Sequence, residues 1–151
     1  MTYTPISAPK TEYGARAVVS AEKARETRQS DGDFGIRTSV IIVTYNGRHY
    51  LDGCLRSVLN ELGPRDELIV ADNASTDGSA DVVSKLCPEA RLIVSAKNRG
   101  FAAACKQGAR AASGRVLVFL NQDTVVLPGW REGLLHGLAA GDGIGLVTSR
   151  L

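Results

Sequence analysis

Val116-Leu117-Val118-Phe119-Leu120-Asn121-Gln122-Asp123-Thr124 is the stretch that decides the fold. Five apolar residues stop abruptly at Asn-x-Asp. A run that short and that apolar reads as a strand buried on both faces, with polar residues just past its carboxyl end. In open α/β sheets, ligands bind in the crevice outside the carboxyl ends of the strands. A carboxylate there can hold a divalent cation against substrate phosphates. Taken alone, Asp123 could equally cap a turn before Pro128, because Asx residues favour turns. The segments on either side decide between the two.

Upstream, the pattern of a strand ending in a polar cluster occurs three more times. Ser39-Val40-Ile41-Ile42-Val43 is a β-branched run broken by Thr44-Tyr45-Asn46-Gly47. Glu67-Leu68-Ile69-Val70-Ala71 ends in Asp72-Asn73-Ala74-Ser75-Thr76-Asp77-Gly78-Ser79. Arg91-Leu92-Ile93-Val94-Ser95 ends in Ala96-Lys97-Asn98-Arg99-Gly100. Helical spacing fills the gaps. Leu51, Cys54, Leu55, Val58, Leu59 and Leu62 share one face of a helix that Gly63-Pro64 stops. Ala80, Val83, Leu86 and Cys87 mark a second, stopped by Pro88. Residues 101–112 form an alanine-rich third, closed by Ser113-Gly114. Pro128-Gly129-Trp130 opens a fourth that runs to about residue 139, and residues 143–148 read as a fifth strand.

Strands alternating with helices mean βαβ crossovers and a mostly parallel, Rossmann-like α/β sheet with helices on both faces. Crossovers are right-handed, so the carboxyl ends of the strands share one edge. One Asx-bearing strand end is ordinary turn chemistry; four on one edge read as a site.

The 151 residues suit one domain, with 18 basic and 16 acidic side chains for a net charge of +2. That balance argues against a nucleic-acid binder, which needs a basic stripe. No apolar run reaches the ~20 residues of a membrane helix. The first residues lack the apolar core of a signal peptide, so the sequence predicts a cytoplasmic chain. Cys54, Cys87 and Cys105 are odd in number and show no CxxC, so they read as small buried hydrophobes. His49 and His136 show no ligand spacing. Residues 1–37 read as a tail or linker with one candidate helix over 15–29, and residues 38–151 as the folded unit.

The sequence has no GxGxxG, no P-loop and no Gly-x-Ser-x-Gly elbow. It offers carboxylates, amides and hydroxyls instead of an activated nucleophile. Asp72 and Asp123 stand at different strand ends and suit different tasks. One can accept hydrogen bonds from a heterocycle or a ribose hydroxyl. The other can ligate Mg²⁺ or Mn²⁺, which needs only one or two carboxylates beside substrate phosphates. The helix after Gly100 turns its amino end to the same edge and favours an anion, with Lys97 and Arg99 near. A nucleoside diphosphate fits these parts.

At four motifs the chain resembles a family 2 glycosyltransferase of GT-A fold. They are Ser39-Val40-Ile41-Ile42-Val43-Thr44-Tyr45-Asn46, Val70-Ala71-Asp72-Asn73-Ala74-Ser75-Thr76-Asp77-Gly78-Ser79, Asn98-Arg99-Gly100-Phe101-Ala102-Ala103-Ala104 and Phe119-Leu120-Asn121-Gln122-Asp123-Thr124. Asn in the first position of Asp-x-Asp is closest to the rhamnosyltransferase-like branch. The resemblance implies that residues 38–151 are the nucleotide-sugar-binding half of the fold. Thr44 and Tyr45 would then line the base pocket, supported by Asn46. Asp72 would accept a hydrogen bond from a pyrimidine ring, with Asn73, Ser75 and Asp77 shaping its loop. Asn98 and Gly100 would approach the diphosphate or ribose. Asn121 would reach the ribose or a metal-bound water, and Asp123 would ligate the cation. Phe101 reads as core.

The reaction implied is inverting transfer of a sugar from a UDP- or dTDP-linked donor to a hydroxyl of a glycan or lipid-linked acceptor, as in cell-surface polysaccharide synthesis. It would take place in the cytoplasm or at the inner face of the membrane, which admits a peripheral membrane association. Two departures stand out. Lys106 occupies a place where relatives often carry Asn. No acid after Asp123 suits a catalytic base, since Asp142 sits in the turn Gly141-Asp142-Gly143. The base is therefore expected beyond Leu151, and the chain reads as an N-terminal fragment or, alternatively, as a nucleotide-binding module without transfer activity. A receiver-like regulatory domain is disfavoured, because no paired acids follow the first strand.

Overall fold

The computed structural model describes residues 18–20, 37–141 and 144–148. Its elements run β1 (Val18–Ser20), β2 (Thr38–Thr44), α1 (Arg48–Leu59), β3 (Glu67–Asp72), α2 (Ser79–Leu86), β4 (Arg91–Val94), α3 (Phe101–Ala111), β5 (Val116–Asn121), α4 (Trp130–Ala139) and β6 (Leu146–Val147). They form one sheet of order β4-β3-β2-β5-β1-β6. β4, β3, β2 and β5 are parallel, and β1 pairs antiparallel with β5 and β6.

β2 sits between β3 and β5, and all seven of its residues are buried. That is why its β-branched run shows no polar alternation. The alternating residues of each strand face two separate layers. Val40, Ile42, Leu68, Val70, Val116, Val118 and Leu120 meet Leu51, Leu55 and Val58 of α1, Val83 of α2, and Leu134, Leu135 and Leu138 of α4. On the other face Val43 and Ala71 pack on Ala104 of α3. Each fully buried aliphatic side chain contributes about 1.5–3 kcal/mol, so this two-sided core dominates the fold's stability.

Two acids lock the amino-terminal ends of the strands. Glu67 Oε1 accepts hydrogen bonds from Ser39 Oγ (2.6 Å), Ser113 Oγ (2.7 Å) and the backbone N–H groups of Ser113 and Gly114. This ties the α3–β5 turn to β2. Asp66 accepts from the N–H groups of Thr38 and Gly63 (both 2.8 Å) and takes both arms of the Arg131 guanidinium, Nε at 2.5 Å and Nη2 at 3.2 Å. Both side chains of that pair are buried, so α4 is held by a desolvated, bidentate ion pair.

The parallel α/β plan, the helices on both faces and the shared edge agree with the sequence. Three expectations need correction. Val18–Ser20 is a strand between β5 and β6, not part of a helix over 15–29; the rest of that helix lies outside the described residues. The side of β5 away from β2 needs a ladder partner, and pairing there prevailed over local helical propensity. The last strand is confined to Leu146–Val147. Phe101 is half-exposed at the start of α3 instead of being core. The turn at Asp142 and Gly143 lies outside the described residues. Cys54 and Cys87 are buried, as expected of small hydrophobes, and Cys105 is partly so. Among the described residues no helix is long and apolar enough to cross a membrane.

Removing one partner of a buried pair strands the other, at a cost of about 3–5 kcal/mol. Arg131→Ala should therefore lower the unfolding free energy by roughly that amount, read from urea denaturation; a loss below ~1 kcal/mol contradicts the role given to the pair. Glu67 carries a pH signature. Burial alone raises its pKa, but hydrogen bonds from Ser39 and Ser113, with the Arg37 guanidinium, outweigh it and hold the carboxyl below its ordinary 4.5. A folded pKa below the unfolded one stabilises at higher pH, and the gain fades as the pH falls through the folded value. Glu67→Gln should thus be less stable than wild type at pH 7, with the gap in melting temperature closing below about 4.5.

Candidate functional site

The polar clusters at the ends of β2, β3, β4 and β5 lie on one edge of the sheet, as parallel pairing requires. The register sets Thr44 beside Asp72 and Val43 beside Asn121, so the ends of β3, β2 and β5 are level. Each segment leaving that edge is then tied to its neighbours.

Gln122 is the centre of one tie. Its Oε1 accepts from the Thr44 hydroxyl (2.7 Å) and the Tyr45 N–H (2.9 Å), and its Nε2 donates to the Tyr45 carbonyl (3.3 Å). The Asn-x-Asp segment after β5 is thereby fixed to the loop after β2. Gly47 makes room for this, since a Cβ there would stand 2.0 Å from Gln122 Oε1. A second tie joins the loops after β2 and β3. Asn46 donates its N–H to Ser75 Oγ (2.9 Å) and accepts from the Thr76 N–H on Oδ1 (2.9 Å). Gly47 and Arg48 donate their N–H groups to Ser79 Oγ (3.1 Å) and Asp77 Oδ2 (2.9 Å). The first free N–H groups of α1 are thus capped from another loop, which replaces a local N-cap side chain. The Ser79 hydroxyl and then the Arg48 N–H hold the Asp77 carboxyl below its ordinary range.

A third tie joins the loops after β3 and β4. Asn73 Nδ2 donates to Asn98 Oδ1 (2.8 Å), and Asn73 Oδ1 accepts from the Arg99 N–H (3.0 Å). Asn98 Oδ1 also accepts from the Gly100 N–H (2.8 Å). Gly100, at φ 84° and ψ 163°, stands in a region that only glycine occupies readily, and this lets α3 begin directly after Asn98. Ala74, at φ 70°, is a left-handed non-glycine residue beside Asp72.

Against this frame the expected site residues separate by role. Thr44 is fully buried and its hydroxyl is occupied by Gln122; Asn46, Asn73 and Asn98 are likewise engaged in loop-to-loop bonds. Tyr45 stands about half-exposed on the edge. Asp72 is 1% exposed: its Oδ1 accepts from the Ser75 N–H (2.7 Å), while its buried Oδ2 has no donor. An unsatisfied buried acceptor is expensive, and such groups gather where a ligand completes them. Asn121 is half-buried with its carbonyl accepting from the Cys54 thiol (3.6 Å), and Asp123 is exposed. Burial first, then the negative charge of Asp123, push the Cys54 thiol up to about 12, so it stays protonated and is no nucleophile. Sequence reasoning gave no role to Gln122, Gly47 or Ser79. Their part is a contact between distant segments, for which a single sequence carries no signal.

Among the described residues no three His, Cys, Asp or Glu side chains gather into a metal cage. Mg²⁺ or Mn²⁺ needs no such cage, since one carboxylate can share it with substrate phosphates. Asp123 at the exposed edge, with Asn121 beside it, supplies hard oxygen donors of that kind.

Comparison with known proteins follows the same lines. Residues 39–150 match the family model described as glycosyl transferase family 2. An uncharacterised glycosyltransferase of Nostoc sp. is 31% identical over 115 residues, which are 74% of this chain and 36% of that protein. Among solved structures, a mannosyltransferase from Pyrobaculum calidifontis in complex with GDP-Man and Mn²⁺ superposes with a TM-score of 0.57 at 28% identity, over 68% of this chain and 31% of that one. TarS 1–349 of S. aureus in complex with UDP-GlcNAc gives 0.56 at 26%, over 70% and 32%. The chain spans about a third of the length of these relatives. With the matched segment running from β2 past β6 and the sheet edge built as described, the chain belongs to glycosyl transferase family 2 and has the GT-A fold.

Proposed function

We propose that residues 38–151, together with the strand that Val18–Ser20 adds to their sheet, are the donor-binding half of a glycosyltransferase. The half-domain binds a nucleotide diphosphate sugar through a divalent cation. The sugar passes, with inversion, to a hydroxyl of a glycan or lipid-linked acceptor. The observation that carries this reading is the orphaned Asp72 Oδ2 on the edge that also bears Asp123.

An acceptor oxygen seeks an N–H. Uracil, thymine and guanine each present a ring N–H, whereas cytosine and adenine present a ring acceptor there. The base thus seats at Asp72 beneath Tyr45. The diphosphate extends two strands across to Asp123, a separation of about 10 Å at ~4.8 Å per strand. Of the diphosphate and the ribose, Asn98 and Gly100 approach the ribose, because β4 lies on the side of β3 away from β5, and Asn121 reaches the ribose or a metal-bound water. Asp123 would hold Mg²⁺ or Mn²⁺, whose positive charge would offset that of the leaving diphosphate. The solved relatives holding GDP-Man with Mn²⁺ and UDP-GlcNAc support a nucleotide sugar as donor. UDP- or dTDP-linked sugars are the donors we favour, in a rhamnosyltransferase-like role in cell-surface polysaccharide synthesis at the cytoplasmic face of the membrane. A Bacillus subtilis glycosyltransferase provisionally named for teichuronic acid biosynthesis, 34% identical over 88 residues, supports the polysaccharide part.

The described acid after Asp123 is Glu132, which pairs with Arg131 on α4. We assign the acceptor-deprotonating base to a part of the protein outside this chain, in line with relatives about three times as long. A nucleotide-binding module without transfer is the second reading; both predict donor binding, and transfer by the full-length protein separates them.

Calorimetric titration tests the donor site. Asp123→Ala should make UDP affinity in Mn²⁺ equal to that in chelator; a variant that still gains affinity from Mn²⁺ sinks the metal assignment. Asp72→Asn keeps an acceptor for the Ser75 N–H and removes only the free one. It should weaken UDP binding by ~1.5–3 kcal/mol, the worth of a charged hydrogen bond. It should also flatten a wild-type preference for UDP, dTDP and GDP over CDP and ADP. Equal wild-type binding of all five nucleotides contradicts the base-reading role.

A further inference from the structure

A groove of about 560 Å³ lies between β4, the outer strand of the sheet, and α3. Lys97 and Arg99 line it from the β4–α3 loop, Lys106 and Arg110 from α3, and no described acidic side chain does. All four cations are exposed, and none takes part in an ion pair among the described residues. Ser95 Oγ donates to Gln107 Oε1 (2.9 Å), which gives the groove a polar wall between strand and helix. Lys106 and Arg110 stand four residues apart on α3, a like-charge spacing that weakens a helix. A concave surface of one sign focuses its field and concentrates counter-ions.

The position separates this groove from the donor's phosphates. β3 and β2 stand between β4 and β5, so β4 lies about 14 Å from β5 at ~4.8 Å per strand. A nucleotide with its base at the end of β3 and its diphosphate at Asp123 runs away from β4. Lys97 and Arg99 are therefore on the base side of the site, not beside the diphosphate.

We propose that the groove is a second anion site, which takes a phosphate group other than the donor's diphosphate. Arg99 and Arg110 offer planar forks that match phosphate oxygens, and Lys97 and Lys106 add mobile point charges. The phosphate comes either from an anionic lipid headgroup or from a soluble phosphorylated ligand. The separation from the diphosphate rests on the donor orientation given under Proposed function.

The test uses the whole chain, wild type and Lys106→Glu/Arg110→Glu, at low salt. One arm titrates inorganic pyrophosphate by calorimetry without divalent cation. The other sediments the protein with phosphatidylglycerol–phosphatidylcholine vesicles and with phosphatidylcholine alone. UDP binding in Mn²⁺ is measured in parallel on each protein. Wild type should bind pyrophosphate or the anionic vesicles, identifying the source, and should ignore the neutral ones. The double variant should lose about tenfold or more in that arm. Its UDP–Mn²⁺ affinity should hold. Lys106→Gln/Arg110→Gln, which removes charge without reversing it, should shift in the same direction with a melting temperature no lower than that of wild type. No wild-type binding in either arm, equal binding by the variants, or binding to neutral vesicles overturns the proposal. A loss of UDP–Mn²⁺ affinity in step with the anion loss overturns it too, by merging the groove with the donor site. Failure of UDP–Mn²⁺ binding in wild type, by contrast, counts against the donor reading alone.

Discussion

The parallel pairing of β2 with both β3 and β5 is the constraint on which the rest depends. It sets Thr44 level with Asp72 and Val43 level with Asn121. Because side chains alternate along a strand, a one-residue slip in either ladder would carry each strand's side chains into the layer on the opposite face. The core resists that slip, since Ile41, Ile42, Ile69, Val70 and Leu120 are almost wholly buried. Burial in the middle of the strands thus fixes the geometry at their ends. The buried Asp66–Arg131 pair and the Glu67 cluster hold the opposite edge, while the loops of the chemistry-bearing edge are joined to one another by hydrogen bonds.

Those ties have a common form. Amides and hydroxyls, from Gln122, Asn46, Asn73, Asn98, Ser75 and Ser79, bridge neighbouring loops. Neutral polar groups can order a ligand edge without adding charge that would compete with a diphosphate or a cation. Asp72 and Asp123 are left with acceptor capacity for a ligand: one is buried with a vacant oxygen, the other exposed. The buried acid suits a directional contact to a ring N–H. The exposed one suits a cation that keeps much of its water.

The four parallel strands, their helices and the shared edge were legible because a β-branched or apolar run followed by Asx and Gly carries its meaning locally. The placement of Asp72 and Asp123 at strand ends was legible for the same reason. Gln122 was not: its partners are Thr44 and Tyr45, 77 or more positions away, and nothing within Asn121-Gln122-Asp123 marks it as a clamp. β1 was missed because three residues carry too little pattern, and pairing with β5 and β6 decides their conformation. Phe101 was misplaced because it falls on the same helical face as the buried Ala104 and Gly108, yet at the first position of α3 it remains half-exposed. The basic groove escaped notice because Lys97 and Arg99 meet Lys106 and Arg110 only once α3 lies against the sheet.

The most direct measurement is a crystal structure of the chain with UDP and Mn²⁺, the metal located by its anomalous signal. The account predicts Mn²⁺ on Asp123, bridging to the diphosphate, and the uracil ring N–H within hydrogen-bond distance of Asp72 Oδ2. Mn²⁺ bound away from Asp123, or a uracil seated anywhere but at Asp72, would contradict it.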